Sequence, residues 1–134
     1  MKESLIDTDI LSMFLRGNPK LKVNIETYLS QFQTIHISIL TYYEIMSGLR
    51  HKNAKRQLES FWEFCGNVSI IPISQESADE SANIYAKLKK TGKIIDDIDI
   101  LIAGICLENR FVLVTNNKKH FSRIKNLKIE NWSE

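Results

Sequence analysis

The chain has 134 residues, of which 43% are hydrophobic, and its formal net charge is +2. This length and apolar content are those of one domain, so we expect residues 1–134 to form a single compact unit. Its longest apolar runs fall far short of the roughly 20 residues that a membrane span needs, which argues against a transmembrane helix. The first residues lack the apolar stretch of a signal peptide, so the sequence predicts a cytoplasmic protein.

The first half of the chain alternates short apolar strands with amphipathic helices. Strands are predicted over residues 3–7 and 34–38, and helices over 8–15, 21–29, 40–50 and 54–64. Thr8 or Asp9 is available to cap the first helix, and Gly17-Asn18-Pro19 ends it. Each predicted strand is thus followed directly by a helix.

The second half repeats this alternation. A strand is predicted over residues 68–73, where Pro72 restricts it to a sheet edge or a strand end. The remaining predictions are a helix over 74–90 with Ala78, Ala82, Tyr85 and Leu88 facing inward, a helix over 98–108, a strong strand over 111–115 and a weak strand over 127–129. Strands that alternate with helices indicate an α/β domain with a largely parallel sheet and helices on both faces.

Four acidic side chains stand at the ends of apolar runs in three separate stretches: Asp7, Glu44, Asp96 and Asp99. Unpaired carboxylates are costly beside apolar residues, and a group of them is a natural site for Mg²⁺ or Mn²⁺. Parallel sheets bind ligands outside the carboxyl ends of their strands, where Asp7 and Asn117 both fall. The pattern predicts a metal site at that edge.

Each of these residues also has an ordinary explanation. Thr41-x-x-Glu44 fits a capping box, Asp96-x-x-Asp99 fits a related local cap, and Asp9 fits a simple N-cap. Asn116-Asn117 fits a turn after a strand, or an amide oxygen that completes the acidic site. Caps alone do not require acids in several segments of one small domain, so the joint pattern favours a site.

Basic residues flank these acids on both sides. They are Lys87, Lys89, Lys90 and Lys93 before Asp96, and Lys118, Lys119, His120, Arg123, Lys125 and Lys128 after Asn117. Such runs are most often solvated surfaces. Beside a metal pocket, these basic residues would hold a phosphodiester backbone. If bound cations neutralise the four acids, the rest of the surface is more basic than the net charge suggests, and this favours a polyanionic ligand.

Four motifs, in order and spacing, resemble those of PIN-domain ribonucleases of the VapC toxin type. They are residues 5–11 with Asp7, residues 38–45 with Gly48, residues 92–104 with Asp99 before Ile-Leu-Ile-Ala, and residues 113–121. Residues 127–132 resemble the family's ending. The resemblance implies a three-layer α/β/α domain with a central, largely parallel sheet.

The same resemblance implies a function. Asp7 and Asp99 would be the principal ligands of Mg²⁺, for which Mn²⁺ could substitute, with Glu44 binding directly or through water and Asp96 as a further acid. Asn117 stands where many relatives have aspartate. The implied protein is a toxin endoribonuclease that hydrolyses RNA through a metal-activated water, pairs with a cognate antitoxin protein, and forms a homodimer or a toxin–antitoxin hetero-oligomer.

Two other functions fit the sequence. In a phosphatase resembling the haloacid dehalogenases, Asp7 would be the nucleophile and Asp9 its acid/base partner, although the chain is short for that family. The third hypothesis is a catalytically silent RNA- or protein-binding domain with the same fold.

Overall fold

The computed structural model describes all residues, 1–134. Its strands are β1 (Ser4–Ile6), β2 (His36–Ser38), β3 (Ser69–Ile71), β4 (Val112–Val114) and β5 (Ile129–Glu130). Its helices are α1 (Thr8–Leu15), α2 (Pro19–Leu29), α3 (Ile39–His51), α4 (Lys55–Cys65), α5 (Gln75–Lys90), α6 (Asp97–Asn109) and α7 (Lys118–Phe121). None of these helices combines the length and the apolar character required to cross a lipid bilayer.

The five strands form one sheet in the order β3-β2-β1-β4-β5, and every neighbouring pair is parallel. The predicted parallel sheet is therefore confirmed. β3, which precedes Pro72, lies at one edge of the sheet, where the missing N–H of proline disturbs no ladder. β1 lies in the middle, so the residue that follows it is surrounded by neighbouring strand ends.

Helices cover both faces of the sheet and enclose two apolar clusters. Leu5 of β1 belongs to the cluster formed mainly by α5, α6 and α7. The next residue, Ile6, belongs to the cluster formed by α1, α2, α3 and α4, since successive strand residues point to opposite faces. This is the three-layer α/β/α arrangement that the resemblance implied.

The inward face of α5 differs from the prediction. Ser77, Ser81, Ile84 and Leu88 are its buried residues, whereas the predicted Ala82 and Tyr85 are exposed. Ser81 tolerates burial because its Oγ donates a hydrogen bond to the carbonyl oxygen of Ile100, 3.0 Å away on α6.

Two predicted helix caps are also wrong. The N-cap of α1 is Asp7 itself, whose side chain accepts from the backbone N–H of Thr8. The N-cap of α3 is Ser38, whose side chain accepts from the backbone N–H of Thr41, so Thr41 and Glu44 form no capping box. The carboxylate of Glu44 is consequently available for tertiary contacts.

Candidate active site

The parallel sheet gathers the predicted acids at its carboxyl edge. Asp7 follows β1 directly, and Thr115 and Asn117 follow the neighbouring β4. Glu44 lies in the second turn of α3, which begins where β2 ends, and Asp99 lies in the first turn of α6. All five predicted site residues, including Asp96 at the N-cap of α6, therefore belong to elements that begin or end near this edge.

Asp7 is the most buried of these acids, with only 5% of its surface exposed. Its Oδ1 accepts from the N–H of Thr8 at 2.8 Å, and its Oδ2 accepts from Thr115 Oγ at 2.7 Å. Burial, followed by the repulsion of Asp9 and more weakly of Asp99, raises the pKa of Asp7 from 3.8 to about 7, against the opposing effect of these two hydrogen bonds. A neighbouring cation would favour its charged form.

Asp99 lies among several like charges. Burial, then repulsion by Asp96, Glu44 and Asp9, raises the pKa of Asp99 to about 6, while His120 has the opposite effect. Asp96 itself is exposed and caps α6 by accepting from the N–H of Ile98 at 3.2 Å. The predicted cap at Asp96 is thus confirmed, and its charge also acts on Asp99.

Glu44 is connected to the first strand end through Thr8. Its Oε1 accepts a hydrogen bond from Thr8 Oγ1 at 2.6 Å, across 36 positions of sequence. Thr8 in turn lies 2.9 Å from Thr41 through their hydroxyl oxygens. This contact joins α1 to α3 beside Asp7.

Asp9 contributes more than the simple cap predicted for it. Its Oδ1 accepts from the N–H of Ile10 at 2.7 Å, and its Oδ2 accepts from the N–H of Asn116 at 3.1 Å. Burial raises the pKa of Asp9, and these backbone donors oppose the rise. Asp9 thereby attaches the start of α1 to the turn that carries Asn117.

Asn117 begins α7 and is held at both its backbone and its side chain. Its N–H donates to Thr115 Oγ1 at 3.0 Å, and its Nδ2 lies 3.2 Å from Nδ1 of His120. The hydroxyl group of Thr115 therefore bridges the backbone N–H of Asn117 and the carboxylate of Asp7. His120, which the sequence analysis counted among the basic residues after Asn117, is half-buried beside the site.

Sequence reasoning missed the hydroxyl groups of Thr8, Thr41 and Thr115, each of which contacts an acid or one of its partners. Thr8 and Thr115 each stand within one residue of a predicted site position or a strand end, which was the available signal. The direction of a threonine side chain depends on packing, and the sequence does not determine it.

The donor set of this edge fits a hard divalent cation. Carboxylate and amide oxygens are the ligands that such ions prefer, and burial together with neighbouring acids raises the pKa of both Asp7 and Asp99. The side chains do not form a closed group of three or more ligands. A closed cage is not required for Mg²⁺, which retains waters and is usually held by one or two carboxylates.

A groove of about 430 Å³ opens next to the acids, between α1, α3 and α4. Thr8 and Glu44 belong to its lining, and Arg16 and Lys52 add basic groups. An occupant of this groove would therefore touch Glu44.

Comparison with known proteins identifies similar chains. Residues 4–127 match the family model described as PIN domain. Ribonuclease VapC2 of Rickettsia felis is 31% identical over 131 residues, which cover 97% of this chain and 98% of that protein. The tRNA(fMet)-specific endonuclease VapC of Shigella flexneri is 26% identical, with 99% and 100% of the two chains covered.

The fold is also found in a solved complex. The crystal structure of VapBC2 from Rickettsia felis, bound to a DNA fragment from the promoter, contains a chain that superposes with a TM-score of 0.89 at 30% identity. The match covers 96% of this chain and 98% of that one.

Proposed function

Because the chain belongs to the PIN-domain family, within its VapC group, we propose that it is a divalent-cation-dependent endoribonuclease that acts as the toxin of a toxin–antitoxin pair. Its proposed substrate is RNA, since its relatives carry the names ribonuclease and tRNA-specific endonuclease. Its proposed partner is a cognate antitoxin, because the similar VapC2 of Rickettsia felis was solved within a VapBC complex. Its proposed place of action is the cytoplasm, where RNA and antitoxin meet.

The observation that best supports this proposal is the concentration of like charge at one sheet edge. Asp7 is buried there against the repulsion of Asp9 and Asp99, and Asp99 is also repelled by Asp96 and Glu44. Such an arrangement destabilises the isolated protein, and a bound cation would remove the cost. Clusters with strongly raised pKa values are typical of functional sites.

In the proposed mechanism Asp7 and Asp99 would hold Mg²⁺, or Mn²⁺ in its place, and Glu44 would bind the cation directly or through a water. The cation, when bound, supplies activation of a water and stabilisation of charge on the phosphate. Asp7 is kept in place by Thr8 N–H and Thr115 Oγ, so its carboxylate is already oriented before substrate arrives. Preorganised charges of this kind lose little free energy to reorganisation during the reaction.

The remaining members of the site have supporting roles in this proposal. Asp96 adds negative charge beside Asp99, and Asn117 offers an amide oxygen without charge. Lys118 and Lys119 are exposed in the first turn of α7, directly after Asn117. There they would hold the phosphates of an RNA strand over the acids.

The groove between α1, α3 and α4 is where we propose that the antitoxin covers the site. Glu44 is part of its lining, so an occupying segment would lie against this acid and hinder access of cation or substrate. Arg16 and Lys52 in its lining favour an occupant that carries acidic groups.

The proposal is tested by the variant Asp7→Asn. Asparagine retains the oxygen that accepts from Thr8 but loses the charge that a cation needs, so RNA cleavage is expected to fall at least about 100-fold while the fold is retained. The measurement is cleavage of total RNA and of initiator tRNA in Mg²⁺, with and without EDTA, beside circular dichroism of each variant.

The matched control is Asp79→Asn, which makes the same change at an exposed position of α5 that contributes to neither raised pKa. This variant is expected to cleave like the wild type. Cation-dependent cleavage that persists in Asp7→Asn would contradict the assigned site. A wild-type protein that binds RNA and leaves it intact in Mg²⁺ would instead favour the catalytically silent domain.

A further inference from the structure

Three hydroxyl groups form a continuous chain that ends on Glu44. Ser38 Oγ lies 3.4 Å from Thr41 Oγ1, Thr41 Oγ1 lies 2.9 Å from Thr8 Oγ1, and Thr8 Oγ1 lies 2.6 Å from Glu44 Oε1. Ser38 and Thr41 are fully buried. Solvent therefore does not compete for the inner part of the chain.

The chemistry of the groups sets the direction of this chain. A carboxylate only accepts hydrogen bonds, so Thr8 must donate its single hydroxyl proton to Glu44. Thr8 then accepts from Thr41, which must in turn accept from Ser38. Ser38 Oγ also accepts from the N–H of Thr41 at 3.1 Å, which leaves its own proton for the chain.

The chain of hydroxyl groups fixes the side chain of Glu44, which has no other hydrogen-bond partner in the protein. Glu44 is half-buried, and Thr8 is the only protein group that hydrogen-bonds its carboxylate. A glutamate side chain loses substantial rotational freedom when it is held in one position, and a short hydrogen bond to a fixed partner offsets that cost. Because Thr8 follows Asp7 directly, its hydrogen bond also fixes the position of the Glu44 carboxylate relative to Asp7.

We propose that Thr8, supported by Thr41 and Ser38, is a positioning residue that holds one oxygen of Glu44 so that the other faces the cation site. This inference rests on the proposed function, because it concerns the same acids. The hydroxyl group of Thr8 thus sets the orientation of Glu44, the third proposed ligand of the cation. Outer partners of this kind typically change metal affinity by about 10–100-fold.

The test compares Thr8→Val, which keeps the shape and removes the donor, with Thr8→Ser, which keeps the donor. Mn²⁺ binding is measured by calorimetry, without RNA. We expect Thr8→Val to weaken Mn²⁺ binding about tenfold and Thr8→Ser to stay within about twofold of the wild type. Thr8→Ala removes the donor in a second way, should valine disturb α1.

A second pair of measurements separates positioning from a general structural role. The Thr8→Val substitution is repeated in a Glu44→Ala protein, where it is expected to cause no further loss of Mn²⁺ affinity, since the group it orients is gone. An equal loss in both backgrounds would overturn the inference, as would wild-type affinity in Thr8→Val and Thr8→Ala.

The two proposals fail in different ways. If the wild-type protein binds Mn²⁺ and the donor-free variants bind it equally well, the positioning role is wrong and the proposed function stands. If the wild-type protein binds no Mn²⁺, the proposed function is wrong, and the role of Thr8 is wrong with it.

Discussion

At the scale of single residues, the burial of Asp7 makes the stability of the folded protein depend on pH. The pKa of Asp7 is raised from 3.8 to about 7 by burial and then by Asp9. Between these two pH values the folded protein keeps a proton that the unfolded chain has released. The contribution of Asp7 to stability is therefore complete below about pH 4 and is lost as the pH rises through about 7.

The metal-free wild-type protein is accordingly expected to lose stability from pH 5 to pH 8. Asp7→Asn removes the titrating group, so the variant is expected to be more stable than the wild type at pH 8 by about 2–4 kcal/mol, with a smaller difference at pH 5. The measurement is urea-induced unfolding in EDTA at several pH values.

A smaller loss of stability with rising pH is still expected in Asp7→Asn, because the pKa of Asp99 is also raised, to about 6. Parallel stability curves for the two proteins between pH 5 and pH 8 would show that Asp7 titrates near its ordinary value. Such a result would remove the main physical argument for a site that needs a cation.

Residue types and spacing were enough to predict the sheet edge near which the candidate site residues lie, which are Asp7, Glu44, Asp96, Asp99 and Asn117. Their hydrogen-bond partners were not predictable. Thr8 and Glu44 are 36 positions apart, and their contact requires the neighbouring placement of β1 and β2. Local sequence patterns can predict helix caps, but they do not show which distant side chains meet in the folded protein.

At the scale of elements, the close packing of α6 against α5 depends on Gly104. A Cβ added to Gly104 would lie 1.9 Å from Ser81 Oγ and 2.5 Å from the backbone oxygen of Ser77. A serine side chain can rotate away, but the backbone oxygen of α5 cannot. Gly104→Ala is therefore expected to separate the two helices and to lower the free energy of unfolding by about 1–3 kcal/mol, measured by urea denaturation.

Gly48 provides the matched control within α3. A Cβ added there meets no atom within 4 Å, so Gly48→Ala is expected to stabilise the protein by up to about 1 kcal/mol through helix propensity alone. If Gly104→Ala were as stable as Gly48→Ala, the contact between α5 and α6 would be looser than these distances imply.

The same contact explains why the inward face of α5 was predicted wrongly. Apolar spacing selected Ala82 and Tyr85, but the close approach of α6 requires small side chains, and Ser77 and Ser81 supply them. A buried serine is acceptable only when its hydroxyl finds a partner, here the carbonyl oxygen of Ile100. The order and type of the longer elements could be predicted because their apolar periods were clear, whereas the short helix α7 gave no such signal.

At the scale of the whole molecule, charge is distributed unevenly between the two edges of the sheet. The carboxyl edge combines the acids with Lys118 and Lys119, which follow Asn117. The amino edge carries Lys2 before β1 and Lys128 before β5. A net charge of +2 would attract RNA weakly to any surface, so the site itself must supply local attraction for a bound strand.

Two lysine pairs allow that local attraction to be measured in two variants of equal net charge, both made in the Asp7→Asn protein, in which cleavage is expected to be lost. Lys118→Ala with Lys119→Ala is expected to weaken RNA binding about fivefold and to reduce its salt dependence by roughly one phosphate contact, since these lysines adjoin the acids. Lys118 also pairs with Glu134 at 3.3 Å, but both groups are largely exposed, so little binding free energy is lost in releasing it. Lys2→Ala with Lys128→Ala removes the same charge at the opposite edge and is expected to change the affinity by less than about twofold. Filter binding over a range of salt concentrations distinguishes the pairs, and equal losses would mean that RNA responds to net charge and that the lysines beside the acids hold no strand.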